Sequence, residues 1–283
     1  AWLGWLGLVL LAAGLVHVVV WLVVGGSLTG PVSWRKPIVF GVSGGITTLS
    51  LAWVVSALPA TRERAAWVRI YVVTMAVEVG LITLQAWRGV ASHFNTSTPL
   101  DTGIFAAMGV LIAIASLAMI RWTWLAWRHP VGDLAEQRAR VQGMLALVGS
   151  LAVGQWMAAY GSMVTAGEIQ AAAPNVYGAA GLMKVPHAVG LHALQVLPLL
   201  AFLQRRAGLP AARRARAVGL AAAGYGLAFL VALAQTLAGR LPWDLAPALL
   251  AIVIAAVGLV LVPFAQALLT RRAATPTLAR QGA

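Results

Sequence analysis

Eight apolar runs, each long enough to cross a bilayer, constrain this chain more than any other feature of its sequence. A spanning helix needs about 20 apolar residues, because backbone N–H and C=O groups must be satisfied inside the segment once water is gone. The runs fall at roughly 2–24, 37–58, 66–87, 102–126, 141–164, 186–204, 217–239 and 245–269. Short connections separate them and carry proline, glycine or charge, as at Gly30-Pro31, Pro59, Pro99, Pro130, Pro174, Pro186, Pro210 and Pro242. The expectation is an all-α integral membrane bundle of about eight transmembrane helices. A single transmembrane helical domain is expected over 1–270, followed by a short basic cytoplasmic tail at 271–283. The first run exceeds the ~7–15 apolar residues of a signal peptide and reads as a retained helix. No internal repeat is visible.

Composition agrees. Of the 283 residues 61% are hydrophobic and 10% charged, whereas a soluble domain is about half apolar and a quarter charged. The chain has no cysteine, which excludes disulfides, thiolate metal sites, iron–sulfur clusters and covalent c-type haem. A net charge of +13 would suggest nucleic acid in a soluble protein. Here the arginines fall between apolar runs, so topology explains them and no nucleic-acid partner is expected.

Short loops rich in Lys and Arg favour the cytoplasm. The even connections and the tail hold Arg62, Arg64, Arg69, Arg121, Arg128, Arg138, Arg140, Arg205, Arg206, Arg213, Arg214, Arg216, Arg271, Arg272 and Arg280. The odd connections hold only Arg35, Lys36, Arg88, Lys184 and Arg240. Both termini are therefore expected in the cytoplasm, in agreement with an even helix count. The cations on the outer side run against that bias and need another reason to be there. Binding an anionic group is the simplest.

The most distinctive stretch runs from Glu78 to Asp101. It starts as an apolar helix carrying a carboxylic acid and ends in a loop with Arg88, His93 and Asn95. A carboxylic acid in mid-membrane costs about 2.5 kcal/mol or more, so Glu78 reads as functional. Glu78 and Gln85 are seven apart and share a face, with Arg88 three further on. His192 and Gln195 also share a face. By helix rise His17, His192 and Gln195 lie about 10–15 Å below the outer end, and Glu78 roughly 15 Å below Arg88. Ser43, Gln155 and Gln235 also fall in the outer half. Polar groups from several helices at one depth suggest a cavity open to the outer face.

Bland readings stand beside these. A lone histidine on an apolar helix, such as His17, is more often a hydrogen-bonded packing residue than a ligand. His93 with Asn95 could belong to a cap, and Asp101 suits a helix N-cap. His187 follows Pro186 at the mouth of the sixth helix and lies roughly 140° around from His192, too far to share an ion. His129 reads as a loop residue. Most tryptophans sit near helix ends, as an interfacial belt does. Gly41-Val42-Ser43-Gly44-Gly45 reads as small-residue helix packing, because no strand or Gly-Lys-Ser/Thr accompanies it.

The segments Gln85-Ala-Trp-Arg-Gly-Val-Ala-Ser-His-Phe-Asn95 and His187-Ala-Val-Gly-Leu-His-Ala-Leu-Gln-Val-Leu-Pro198, with Trp34-Arg-Lys-Pro37, resemble a group of bacterial polytopic membrane proteins. The resemblance covers roughly residues 1–200 and implies a multi-pass protein of the bacterial inner (plasma) membrane. The group has no assigned activity, so no function comes with it. Comparison with cytochrome b561-type haem proteins is an analogy only, because the histidine spacing differs. Alkaline-ceramidase-like hydrolases use His-x-x-x-His, from which the spacing here also departs.

The first expectation is a membrane-embedded redox protein with b-type haem in the outer half. His192 would be one axial ligand and His17 or His93 the other, with His187 at the mouth. Arg35, Lys36, Arg88 and Lys184 would meet the propionates, Gln85 and Gln195 would line the site, and Glu78 would handle protons beside a quinone. A variant holds a divalent metal on His192 and His93. The alternative is a transporter or receptor for a small anionic or amphipathic molecule, proton-coupled through Glu78. A scaffold subunit is disfavoured by Glu78. Whether the chain is an enzyme, and its oligomeric state, stay open.

Overall fold

The computed structural model describes residues 1–168 and 183–273, and among them every regular element is helical. α1 covers Trp2–Val24, α2 Arg35–Ser56, α3 Arg62–Trp87, α4 Pro99–Arg128, α5 Leu134–Thr165, α6 Lys184–Arg206, α7 Ala211–Leu237 and α8 Pro247–Ala273. All 8 are long and apolar enough to cross a membrane, which fits a multi-pass membrane protein. Several helices reach beyond the apolar runs into their polar flanks. α3 begins at Arg62 because Thr61 caps it, its hydroxyl accepting from the Arg64 N–H at 3.1 Å. α8 continues to Ala273, so the expected tail starts inside a helix. The remainder of that tail, with Arg280, and the loop proline Pro174 lie outside the described residues.

Within the stretch read from the sequence as one domain, the helices pack as two compact units. The first comprises Ala1–Leu125 with Ala159–Gln170, the second Ala126–Ala158 with Ala171–Ala283. α5 contributes to both.

In the first unit α1 and α2 touch backbone to backbone. A Cβ on Gly14 would stand 2.6 Å from the Val42 nitrogen, and one on Gly41 2.6 Å from the Gly14 Cα. Gly45 meets the Leu11 nitrogen in the same way, at 2.7 Å. Lipid offers no hydrophobic force to press two apolar helices together, so close van der Waals contact does that work. The glycine-rich segment of α2 is thus a packing surface, as its sequence suggested. α3 joins through Tyr71, whose hydroxyl lies 3.1 Å from Thr48 Oγ1 on α2. The Tyr71 ring in turn packs on Trp122 of α4 at 5.4 Å. Nearby, Arg121 grips Glu63 through Nε at 2.6 Å.

The second unit uses the same device. Gly190 of α6 approaches α5 so closely that a Cβ would lie 2.8 Å from the Ala146 carbonyl oxygen. The buried face of α6, with Ala193, Leu197, Leu200 and Ala201, meets Ala215, Val218 and Ala221 of α7 and Ala135 and Ala139 of α5. Two ion pairs fasten the start of α5 to its neighbours: Arg205–Glu136 and Arg214–Asp133, both at 2.5 Å. Asp133 also accepts from the Ala135 and Glu136 N–H groups, which caps α5.

Candidate functional site

One face of α3 carries the chemistry. Its buried residues are Tyr71, Thr74, Met75, Glu78, Val79, Ile82 and Gln85, a run at three- and four-residue spacing that marks a single stripe. Glu78 is 3% exposed, and its Oε2 has no hydrogen-bond partner. By helix rise Gln85 lies about 10 Å further along, and Ile82, fully buried, separates the two.

At the end of α3 the polar groups close on one another. Gln85 Nε2 donates to Asp101 Oδ1 at 2.9 Å. Arg88 Nη1 donates to the same oxygen at 2.7 Å and also to Gln85 Oε1. The Thr98 hydroxyl donates to Asp101 Oδ2 at 2.7 Å and accepts from the Asp101 N–H at 3.1 Å. Ser97 Oγ donates to Asn95 Oδ1 at 2.7 Å, while Asn95 Nδ2 donates to the Ala91 carbonyl at 3.0 Å. The Thr98 carbonyl accepts from the Thr102 N–H at 3.0 Å, so the N-cap of α4 is Thr98, with Pro99 in the first helical position. This corrects the expectation that Asp101 is the cap. Asp101 stands three residues inside, where its carboxylate is free to reach back to α3. Arg88 is accordingly met by an internal carboxylate.

His93 lies in the same loop. The Ser92 hydroxyl contacts its Nδ1 at 2.9 Å. Phe40, Phe94 and Phe105 surround the ring at centroid distances of 5.6, 6.2 and 6.3 Å. Burial, and then the charge of Lys36, push its pKa down from 6.5 to about 4. Phe94 has φ 57, a left-handed conformation that a bulky residue adopts only under constraint. Its ring fills the space beside Gly161, where a Cβ would lie 2.3 Å from Phe94 Cζ.

His17 is a packing residue. Its Nδ1 donates to the Ala13 carbonyl at 2.7 Å, and its Nε2 accepts from the Trp87 indole N–H at 3.1 Å. Trp34 and Trp87 flank it, their own ring centroids 5.4 Å apart. Sequence reasoning placed these tryptophans in the interfacial belt and missed their role as partners of His17. The signal lay in their positions beside the Arg35-Lys36 and Arg88 motifs. Asp101 was missed as the counter-ion of Arg88. Thr98-Pro99-Leu100-Asp101 reads as a helix start in which position and reach of the carboxylate were ambiguous.

His187, His192, Lys184, Gln155, Gln195 and Gln235 belong to the second unit. His187 turns to α5, its Nδ1 donating to the Ser150 carbonyl at 2.8 Å while Ser150 Oγ donates to the His187 carbonyl at 2.6 Å. His192 is exposed, its Nδ1 2.9 Å from Gln195 Oε1. It was expected inside a cavity. On a helix it lies about 100° before Ala193, on the side away from the buried face of α6. Lys184 begins α6. Gln155 is exposed, and Gln235 closes the turn after α7 by donating to the Asp244 carbonyl at 2.6 Å. Neither adds to a shared polar cavity.

These positions test the fit of a bis-histidine haem. Such a site needs two imidazoles, each offering a free nitrogen lone pair. In the first unit His17 has both nitrogens engaged, which leaves His93. In the second, His187 faces Ser150 and His192 faces outward. Both ring nitrogens of His17 are hydrogen-bonded, whereas the bonds of His93, His187 and His192 use Nδ1. Among the described residues no group of three or more His, Asp or Glu side chains could hold a metal ion.

Compared with known protein families, curated proteins and solved structures, the chain matches none.

Two measurements check this geometry. Asp101→Asn removes the counter-charge of a partly buried pair, and the loss expected is about 2–3 kcal/mol. In a double-mutant cycle with Arg88→Met, thermal unfolding in detergent should return a coupling of about 1 kcal/mol or more; additive effects would mean the pair is not formed. His93 is held neutral, so protons bind more readily to the unfolded chain as pH falls below 6.5. Stability from this group is full above that pH and is lost as pH falls toward about 4. The unfolding midpoint should decline more steeply over that window in the parent than in His93→Leu, and parallel profiles would show that His93 is not the titrating group.

Proposed function

We propose that this chain is a multi-pass carrier of the cell's plasma membrane that moves a small anionic or amphipathic molecule together with protons, with Glu78 as the proton-carrying group. The observation behind this reading is the buried Glu78 carboxyl, whose Oε2 has no hydrogen-bond partner, in the middle of a helix long enough to span a bilayer. A structural carboxylate would be expected to look like Asp101, with donors on both oxygens. Glu78 lacks that support, and such a group in hydrocarbon is costly as an anion and much less so as the neutral acid. It can exchange a proton when water or a cation reaches it, which is what coupling requires.

The arrangement of the first unit supports a cytoplasmic N-terminus, and an even number of spanning helices would return the C-terminus to the same side. The end of α1, the start of α2, the end of α3 and the start of α4 gather at one end, through the His17–Trp34–Trp87 and Arg88–Asp101 contacts. Arg62, Arg64, Arg69 and Arg121 lie toward the opposite ends of their helices, where the positive-inside rule would set them in the cytoplasm. The candidate site would then open outward, and the bilayer and the transported molecule are the partners this reading implies.

Proteoliposomes containing a trapped pH-sensitive dye provide the test, with imposed gradients of succinate, benzoate or inorganic phosphate. Wild-type protein should move protons with at least one of these anions. Glu78→Gln, near-isosteric and already neutral, should keep the fold and lose the proton signal. Equal proton movement in Glu78→Gln would remove Glu78 from the mechanism. A redox protein with one haem on His93 is the second reading, supported by the enclosed, neutral imidazole beside Ser92. It requires a strong near-ultraviolet absorbance band that shifts on reduction and is lost in His93→Ala. Protein purified with haem available during expression is expected to lack that band; its presence would favour the redox reading over the carrier.

A further inference from the structure

Among the described residues of the first unit, three polar side-chain atoms besides the Trp122 indole are sealed from solvent without a hydrogen-bond partner: Glu78 Oε2, Ser33 Oγ and Arg35 Nε. The last two stand two residues apart where the chain enters α2. Ser33 is 6% exposed. Arg35 is half-buried and, among the described residues, has no acidic partner. Both atoms can donate a hydrogen bond, and a buried donor left unmatched is destabilising, so native proteins rarely leave one. Each of these donors, two residues apart in the chain, is suited to an acceptor with several lone pairs.

The backbone at this point favours the same occupant. Trp34, which flanks the start of α2, offers no side-chain cap. Pro37 has no N–H, and the Lys36 N–H donates to the Ser33 carbonyl at 3.3 Å. The positive end of the α2 dipole is thus not met by any side-chain oxygen of its own. The other cations at this end are placed differently. Arg88 is paired with Asp101, and the charge of Lys36 acts on His93.

We infer that Ser33 and Arg35 form an oxyanion-binding site, taking a phosphate or carboxylate group between the serine hydroxyl and the guanidinium at the start of α2. A planar guanidinium matches two oxygens of such a group, and the hydroxyl supplies a further donor. This goes beyond the carrier reading, since a lipid headgroup phosphate and a soluble anion present the same chemistry. It joins Ser33 to Arg35, which the sequence already placed among the outer-side cations.

The test does not use transport, so it can fail without touching the role of Glu78, and the converse. The full chain is reconstituted in phosphatidylcholine vesicles and treated with phenylglyoxal, and modified arginines are mapped by peptide mass spectrometry. The treatment is repeated with inorganic phosphate, and again in vesicles containing phosphatidylglycerol. Arg35 modification should slow about tenfold in one of these conditions, the scale of one charge-assisted contact. Arg88, already held by Asp101, should react at one rate throughout. Protection by inorganic phosphate supports the site with a soluble anion as occupant. Protection by phosphatidylglycerol alone supports it with a lipid headgroup. Ser33→Ala should keep the unfolding midpoint, because no protein partner is lost, while protection of Arg35 weakens several-fold. Absence of protection in both conditions, or equal protection of Arg88, overturns the inference. So does full protection in Ser33→Ala.

Discussion

The Asp101 carboxylate is the node on which the candidate site depends. It accepts from Gln85 and Arg88 on one oxygen and from Thr98 on the other. Those contacts join the end of α3, the intervening loop and the start of α4. A carboxylate 2% exposed is tolerable only with such company. Once the two helix ends are fixed, the loop between them has little freedom, and Phe94 accepts a left-handed backbone to seat its ring beside Gly161. His93 is then held among three phenylalanines as a neutral imidazole.

Satisfied and unsatisfied polar groups divide the first unit. His17, Gln85, Arg88, Asn95, Thr98 and Asp101 all have partners that account for their burial. Glu78, Ser33 and Arg35 each retain an atom without one. In an apolar protein the first set describes how the fold avoids the cost of buried polarity. The second set, like the Trp122 indole, carries a burial cost that no protein partner offsets.

Close glycine contacts are the other general device. Gly14 with Gly41 and Gly7 with Gly45 bring α1 against α2, and Gly190 brings α6 against α5. Such contacts depend on the absence of a side chain at one position. They bring neighbouring backbones near enough for short polar side chains to bridge, as Ser150 does to the His187 carbonyl. Histidines on apolar helices thereby become clasps: His17 between α1 and Trp87, His187 between α6 and α5.

The eight helices, their order and the prominence of Glu78 were legible in the sequence. Length and apolarity alone decide whether a segment can satisfy its own backbone in hydrocarbon. The packing role of Gly41 and Gly45 was equally legible, since small residues at helical spacing have few other uses in a membrane. What followed from partners was not. Periodicity gave Gln85 and Arg88 a common face, but nothing local said that Asp101 would reach both, or that the Trp87 indole would occupy His17. His192 looked like a buried ligand because its helix is apolar, yet which face of α6 is buried depends on where α7 and α5 sit. Helix rise measures depth along an axis and says nothing of rotation about it. The sequence by itself determined which groups are costly to bury. Only the tertiary structure decided which are compensated, because hydrogen-bond partners lie up to 81 residues away along the chain.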